Sequence, residues 1–130
     1  LEIKLKRLFN ITVFASFLWN LYLVIGVMLG ADYALERAAG GQFDSFPTYI
    51  RFLYLLNTAV ILWQLIVYLQ IVKKSVIKPA WTLKVFVIMG VLGIVANAAS
   101  RSQQERWNVI PAAIITFTFY IENRRRKQGN

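Results

Sequence analysis

The side chains that could do chemistry in this 130-residue chain are few, and they are scattered. Asp32, Glu36 and Asp44 are the acids of one polar stretch, the kind of residue that moves a proton or ligates a hard cation; their spacing matches no catalytic or metal-binding pattern. Two amides, Asn57 and Gln64, sit seven residues apart inside a long apolar run, on one face if that run is helical. Asn10, Ser16 and Asn20 occupy a second apolar run. Neutral amides can hydrogen-bond a solute or one another, and they carry no charge to move. Arg124, Arg125, Arg126 and Lys127 form the densest cationic cluster, with Lys73 and Lys74 a second pair.

The chain contains no cysteine and no histidine. Disulfides, thiolate nucleophiles, zinc thiolate sites and cysteine-ligated clusters are thereby excluded, as are histidine-ligated haem and histidine acid–base steps. No Asp or Glu falls inside a long apolar run, and proton- or cation-coupled carriers generally need one there. The expectation is a protein that is not an enzyme and carries no cofactor and no metal.

Four apolar runs must position these groups. With 58% apolar and 15% aromatic residues, the composition leaves too little polar surface for a soluble domain. The fold class expected is therefore all-α: a polytopic membrane protein with four transmembrane helices in one antiparallel bundle. The first run, 8–29, has 22 residues and would reach about 33 Å as a helix, enough for a bilayer core. The second, 50–72, is flanked by Arg51 and by Lys73 and Lys74. The third, 80–99, holds Lys84 near its start and Gly90, Gly93 and Asn97 on one face. The fourth, 107–121, is short for a span; Trp107 at one end, and Tyr120 with the cationic cluster at the other, would anchor it. Pro111 belongs in its first turn, where a missing donor matters least.

Between the first two runs, Ala31 to Ala39 has the composition of a short interfacial helix ended by Gly40 and Gly41. Phe43, Phe46, Tyr49 and Tyr54 suit the headgroup level. The polar link Arg101 to Arg106 is short enough to make the third and fourth helices antiparallel neighbours.

Alternating spans place eleven Lys and Arg on the side of both termini and four on the other. The positive-inside rule then puts both termini in the cytoplasm, and the location expected is a plasma membrane. The net charge of +9 is explained by this topology, so no nucleic-acid partner is expected. The chain begins at Leu1, as a trimmed start or a removed signal segment would leave it.

Two readings of the amides stand side by side. Asn20, Asn57, Gln64 and Asn97 could join helices by hydrogen bonds, with Gly90 and Gly93 giving close backbone approach, or they could line a polar path between helices. Gly26 and Gly30 make another small-residue pair, although Gly30 sits where a helix would close. Lys73, Lys74, Arg124, Arg125, Arg126 and Lys127 are the expected contacts for anionic lipid headgroups or a partner.

The stretch NAASRSQQERWNVIPAA, Asn97 to Ala113, is similar to the third-to-fourth-helix junction of small uncharacterised four-helix membrane proteins of actinobacteria. It covers under a fifth of the chain, and the resemblance implies no active site. The small multidrug-resistance transporters share the length and span number but need a glutamate in the first span, which this chain lacks; the glycine-rich signature of small fluoride channels is also missing. The function expected first is that of an accessory or structural subunit of a larger membrane complex, respiratory or of the envelope. The alternative is a small homo-oligomeric channel or carrier for an uncharged or anionic solute. A lipid-modifying enzyme using Asp32, Glu36 and Asp44 is a third class.

Overall fold

A computed structural model describes residues 1–129. Its helices are α1 (Glu2–Leu29), α2 (Thr48–Val72), α3 (Thr82–Ala98), the single turn α4 (Gln103–Arg106) and α5 (Val109–Gln128), and the described residues contain no strand. The fold is all-α.

Each long helix starts and stops where local chemistry dictates. α1 ends at Gly30, whose left-handed backbone (φ 75°) turns its N–H back to the Val27 carbonyl at 3.0 Å. Arg51, in the first turn of α2, donates to the carbonyl of Met28 at 2.9 Å, so the start of one helix caps the end of another. α2 follows Pro47, and α3 starts at Thr82, whose hydroxyl donates to the Pro79 carbonyl at 2.8 Å. Pro111 is the third residue of α5, within its first turn.

Only α1 and α2 are by themselves long and apolar enough to cross a membrane. α3 is apolar but has 17 residues. α5 has 20, and its end from Glu122 to Gln128 is polar, because the helix continues past the apolar run into the cationic cluster. The segment 31–39 does not form the expected short helix: two three-residue 3₁₀ turns, Asp32–Ala34 and Ala39–Gly41, stand there instead. Ala34, Ala38 and Phe46 fold down onto Val27 and make a small apolar core beneath this loop, and burial of those side chains decides its path more than helix propensity does.

The four long helices run alternately up and down. α1 packs on α2 and on α5, and α5 packs on α3. On the remaining side Trp63 of α2 meets Phe86 of α3 edge-on, with centroids 4.7 Å apart. The main core lies toward the end that carries both termini. Phe17, Phe86 and Phe119 are fully buried there, with Val67 and Tyr68 in the same layer. Phe17 meets Phe119 edge-on at 6.3 Å, and Phe86 meets Phe119 at 5.0 Å.

Candidate functional site: an amide-lined cavity

Above that aromatic layer the bundle is hollow. A cavity of about 320 Å³ opens between the helices and extends to the end opposite the termini. Asn20 of α1, Asn57 and Gln64 of α2, and Gly90, Gly93 and Asn97 of α3 all line it. Helical spacing explains the convergence: Asn57 and Gln64 are two turns apart, as are Gly90 and Asn97, so each helix offers one face.

The amides do not join helices. Among the described residues, the side chains of Asn20, Asn57 and Gln64 make no hydrogen bond, and no polar atom of Asn20 or Gln64 is sealed from open space. Asn57 is exposed, and Asn20, Gln64 and Asn97 are half-buried. Asn97 donates to the Gly93 carbonyl of its own helix at 2.8 Å. An amide hydrogen bond between α1 and α2 does form in the termini half of the bundle: the Tyr68 hydroxyl donates to Oδ1 of Asn10 at 3.1 Å.

The two glycines of α3 also differ. A Cβ on Gly90 would collide with the side chain of Thr116, so α3 and α5 approach closely here; Thr116 turns its hydroxyl onto the Ala112 carbonyl at 2.7 Å. Gly93 has nothing within 4 Å of its Cβ position and faces the hollow. Gly26 packs against the ring of Tyr33.

The mouth is built from both connecting segments. Arg37, from the first, and Glu105 and Asn108, from the second, line it with Tyr54. Asn108 is buried; its Oδ1 accepts from the Trp19 indole at 3.0 Å, and its amide donates to the Arg37 carbonyl at 3.2 Å. The Arg37 guanidinium lies 5.5 Å from the centre of the Trp19 ring, a cation–π distance. Ser102 caps α4 by accepting from the Glu105 N–H at 3.2 Å, and its hydroxyl donates to the Glu36 carbonyl. Glu105 itself accepts from the Gly40 N–H at 2.6 Å. The junction segment is thus stapled onto the first loop, and the staple forms the rim.

Arg37, Glu105, Asn108 and Tyr54 escape a reading of the sequence as a set. The one available signal is the Ser-x-x-Glu pattern of Ser102 and Glu105, a helix-start signature that places the turn. Asp32, Glu36 and Asp44 do not gather: among the described residues no three acids lie close enough to hold a metal.

At the termini end, Glu122 is nearly buried between Arg125 and Arg126, the latter with Nε at 2.8 Å. Burial alone would raise its carboxyl, but hydrogen bonds from Arg125 and Arg126 outweigh this and hold it below its ordinary range. Arg126 also donates to the Ser75 carbonyl at 3.0 Å. Two of the four clustered cations are therefore ion-paired within the chain and Arg124 donates to the Tyr120 hydroxyl at 3.5 Å, whereas Lys127, Lys73 and Lys74 are exposed without an ion pair among the described residues.

No protein-family model, curated protein or solved structure matches the chain.

Proposed function

We propose that the chain is a four-span integral membrane protein that binds a small polar solute, uncharged or anionic, in the amide-lined cavity, without catalysis. The observation that carries this reading is the convergence of Asn20, Asn57, Gln64 and Asn97, from three helices, on one cavity of about 320 Å³. That volume is typical of small-molecule sites, and the unpaired amides of Asn20, Asn57 and Gln64 supply donors and acceptors for orienting a ligand.

The membrane setting is supported by exposure. In the most apolar windows of α1 and α2 only 39% and 22% of residues are buried, whereas the core helix of a soluble protein buries most of its length. Eleven of fifteen cations lie toward the termini, so the positive-inside rule favours cytoplasmic termini in a plasma membrane and a cavity mouth facing outward. In this arrangement α3 and α5 cross a locally thinned bilayer with help from Lys84 and the terminal cations. The aromatic layer of Phe17, Phe86 and Phe119 underlies the cavity, which favours a blind pocket over an open pore.

One observation favours a second reading. Asn57 is exposed on a lipid-length helix, and hydrocarbon would leave its amide unpaired. A polar residue on the helix of a larger complex, or of a second copy, would satisfy it; this is the accessory-subunit role. Mass measurement of the gently extracted protein separates the two: unlike subunits in fixed ratio favour the accessory role.

The absence of cysteine allows a direct test. Single Asn57→Cys and Gln64→Cys variants in intact cells should react with a membrane-impermeant thiol reagent from outside, whereas Leu56→Cys, on the exposed apolar surface of α2, should not. Gln64→Cys reacting no faster than Leu56→Cys would overturn the water-accessible pocket.

A further inference from the structure

A second hollow lies between α1 and α2, in the half of the bundle that carries the termini. This groove of about 680 Å³ is open to the surroundings along its length. Ile3, Lys6 and Arg7 stand at its start, and Ile11, Phe14, Ala15 and Leu18 follow along α1, with Tyr68, Leu69 and Val72 of α2 forming the opposite wall. We propose that it holds one anionic phospholipid of the leaflet on the side of the termini, with the phosphate at Lys6 and Arg7 and an acyl chain along Ile11 to Leu18. The inference rests on the membrane placement proposed above and is independent of the solute cavity.

Three features select this occupant. From Arg7 to Leu18 the groove follows eleven residues of helix, roughly 17 Å at 1.5 Å per residue. One leaflet of hydrocarbon is about 15 Å deep, half of the roughly 30 Å core. A site that is cationic at headgroup level and apolar from there to the midplane has the length and polarity profile of a single lipid.

The second feature is charge. Lys6 and Arg7 are exposed and make no ion pair among the described residues, unlike Arg125 and Arg126, which Glu122 engages. Free cations beside an apolar slot attract an anionic headgroup over a zwitterionic one. The third feature is Asn10, one turn deeper and part of the groove wall. Tyr68 donates to its Oδ1, which leaves the amide N–H groups of Asn10 as unused donors just below the phosphate level. That is where the ester carbonyls of a glycerolipid lie, and these are acceptors.

The test is native mass spectrometry of the detergent-purified full chain mixed with equal amounts of phosphatidylglycerol and phosphatidylcholine. One phosphatidylglycerol should be retained in preference to phosphatidylcholine. Each cation near an anionic headgroup contributes roughly fivefold in affinity, so Lys6→Gln with Arg7→Gln should cut the preference about twenty-five-fold. Ala15→Phe, an exposed position whose new ring fills the groove, should abolish the retained lipid with the charges intact. Arg124→Gln with Lys127→Gln, an equal charge loss at the same end of the bundle, should change little.

An Ala15→Phe variant that keeps its lipid, or an Arg124/Lys127 pair as costly as Lys6/Arg7, would replace the groove with a diffuse basic surface and overturn the proposal. A chain that needs detergent yet binds both lipids equally also overturns it and leaves the membrane reading standing. A chain that is soluble without detergent and binds neither lipid defeats both.

Discussion

The carboxylate of Glu105 accepts a hydrogen bond at 2.6 Å from the backbone N–H of Gly40, sixty-five residues earlier in the chain. This contact ties the α3–α5 junction to the first loop, at a place where Gly40 holds a left-handed backbone (φ 72°). An N–H in such a turn has no helical partner, so the charged acceptor offsets a donor that would otherwise be stranded at the cavity rim. Glu105→Ala should therefore destabilise the protein by up to about 1.5–3 kcal/mol, less in proportion to the half-exposure of Gly40. Glu105→Gln, which keeps an acceptor, should cost less. Thermal unfolding of the purified protein in nanodiscs, comparing the two variants, checks the order.

The helices themselves were legible from hydropathy alone, because an apolar run of twenty residues has few other conformations open to it. The expected runs 8–29 and 50–72 fall within α1 and α2, and Pro111 and Gly30 mark a start and a stop for reasons carried in their own backbones. The segment 31–39 departs from its local preference for helix because burial of Ala34, Ala38 and Phe46 against Val27 decides its path. For the amides, spacing shows which residues share a face but not the width of the gap they look into. Whether Asn57 meets a neighbour or a void is set by tertiary contacts such as that of Trp63 with Phe86, which joins residues 23 apart and leaves no periodic trace. Glu122 sits one residue beyond the fourth apolar run, so its burial is invisible to hydropathy.

Gly90 and Gly93 look alike in the sequence and should respond oppositely to the same change. Gly90→Ala puts a methyl into Thr116 and should cost about 1–3 kcal/mol of overpacking, partly offset by the better helix propensity of alanine. Thr116→Ala should recover part of the loss, since it removes the hydroxyl and methyl but not the Cβ. Gly93→Ala meets open space and should be neutral or slightly stabilising. Unfolding temperatures of Gly90→Ala, Gly90→Ala with Thr116→Ala, and Gly93→Ala measure the contrast, and equal losses at the two glycines would contradict the placement of the cavity.

Trp19 anchors the rim through its indole N–H. Trp19→Phe keeps a ring for Arg37 but strands the Oδ1 of buried Asn108, at a cost of about 1–3 kcal/mol. Asn108→Leu removes the acceptor as well, so the double variant should be less destabilised than the sum of the singles. A double-mutant cycle on unfolding temperature reads this coupling; strict additivity would mean that the two side chains do not hold each other.

Glu122 makes the stability of the termini end depend on pH. Its carboxyl ordinarily titrates at 4.5; burial would raise that value, but the hydrogen bonds from Arg125 and Arg126 bring it lower in the folded chain. The unfolded chain therefore takes up the proton first as the solution is acidified. The contribution is fully present above the unfolded value and is lost as pH falls from about 4.5 through the folded value. Once Glu122 is neutral, Arg125 and Arg126 lose the charge of their shared acceptor, beside the bond from Arg126 to the Ser75 carbonyl. Wild type should lose unfolding temperature on acidification below pH 4.5 more steeply than Glu122→Gln, and the two curves should converge at the acid end. Parallel curves across that range would mean that Glu122 does not sense the proton.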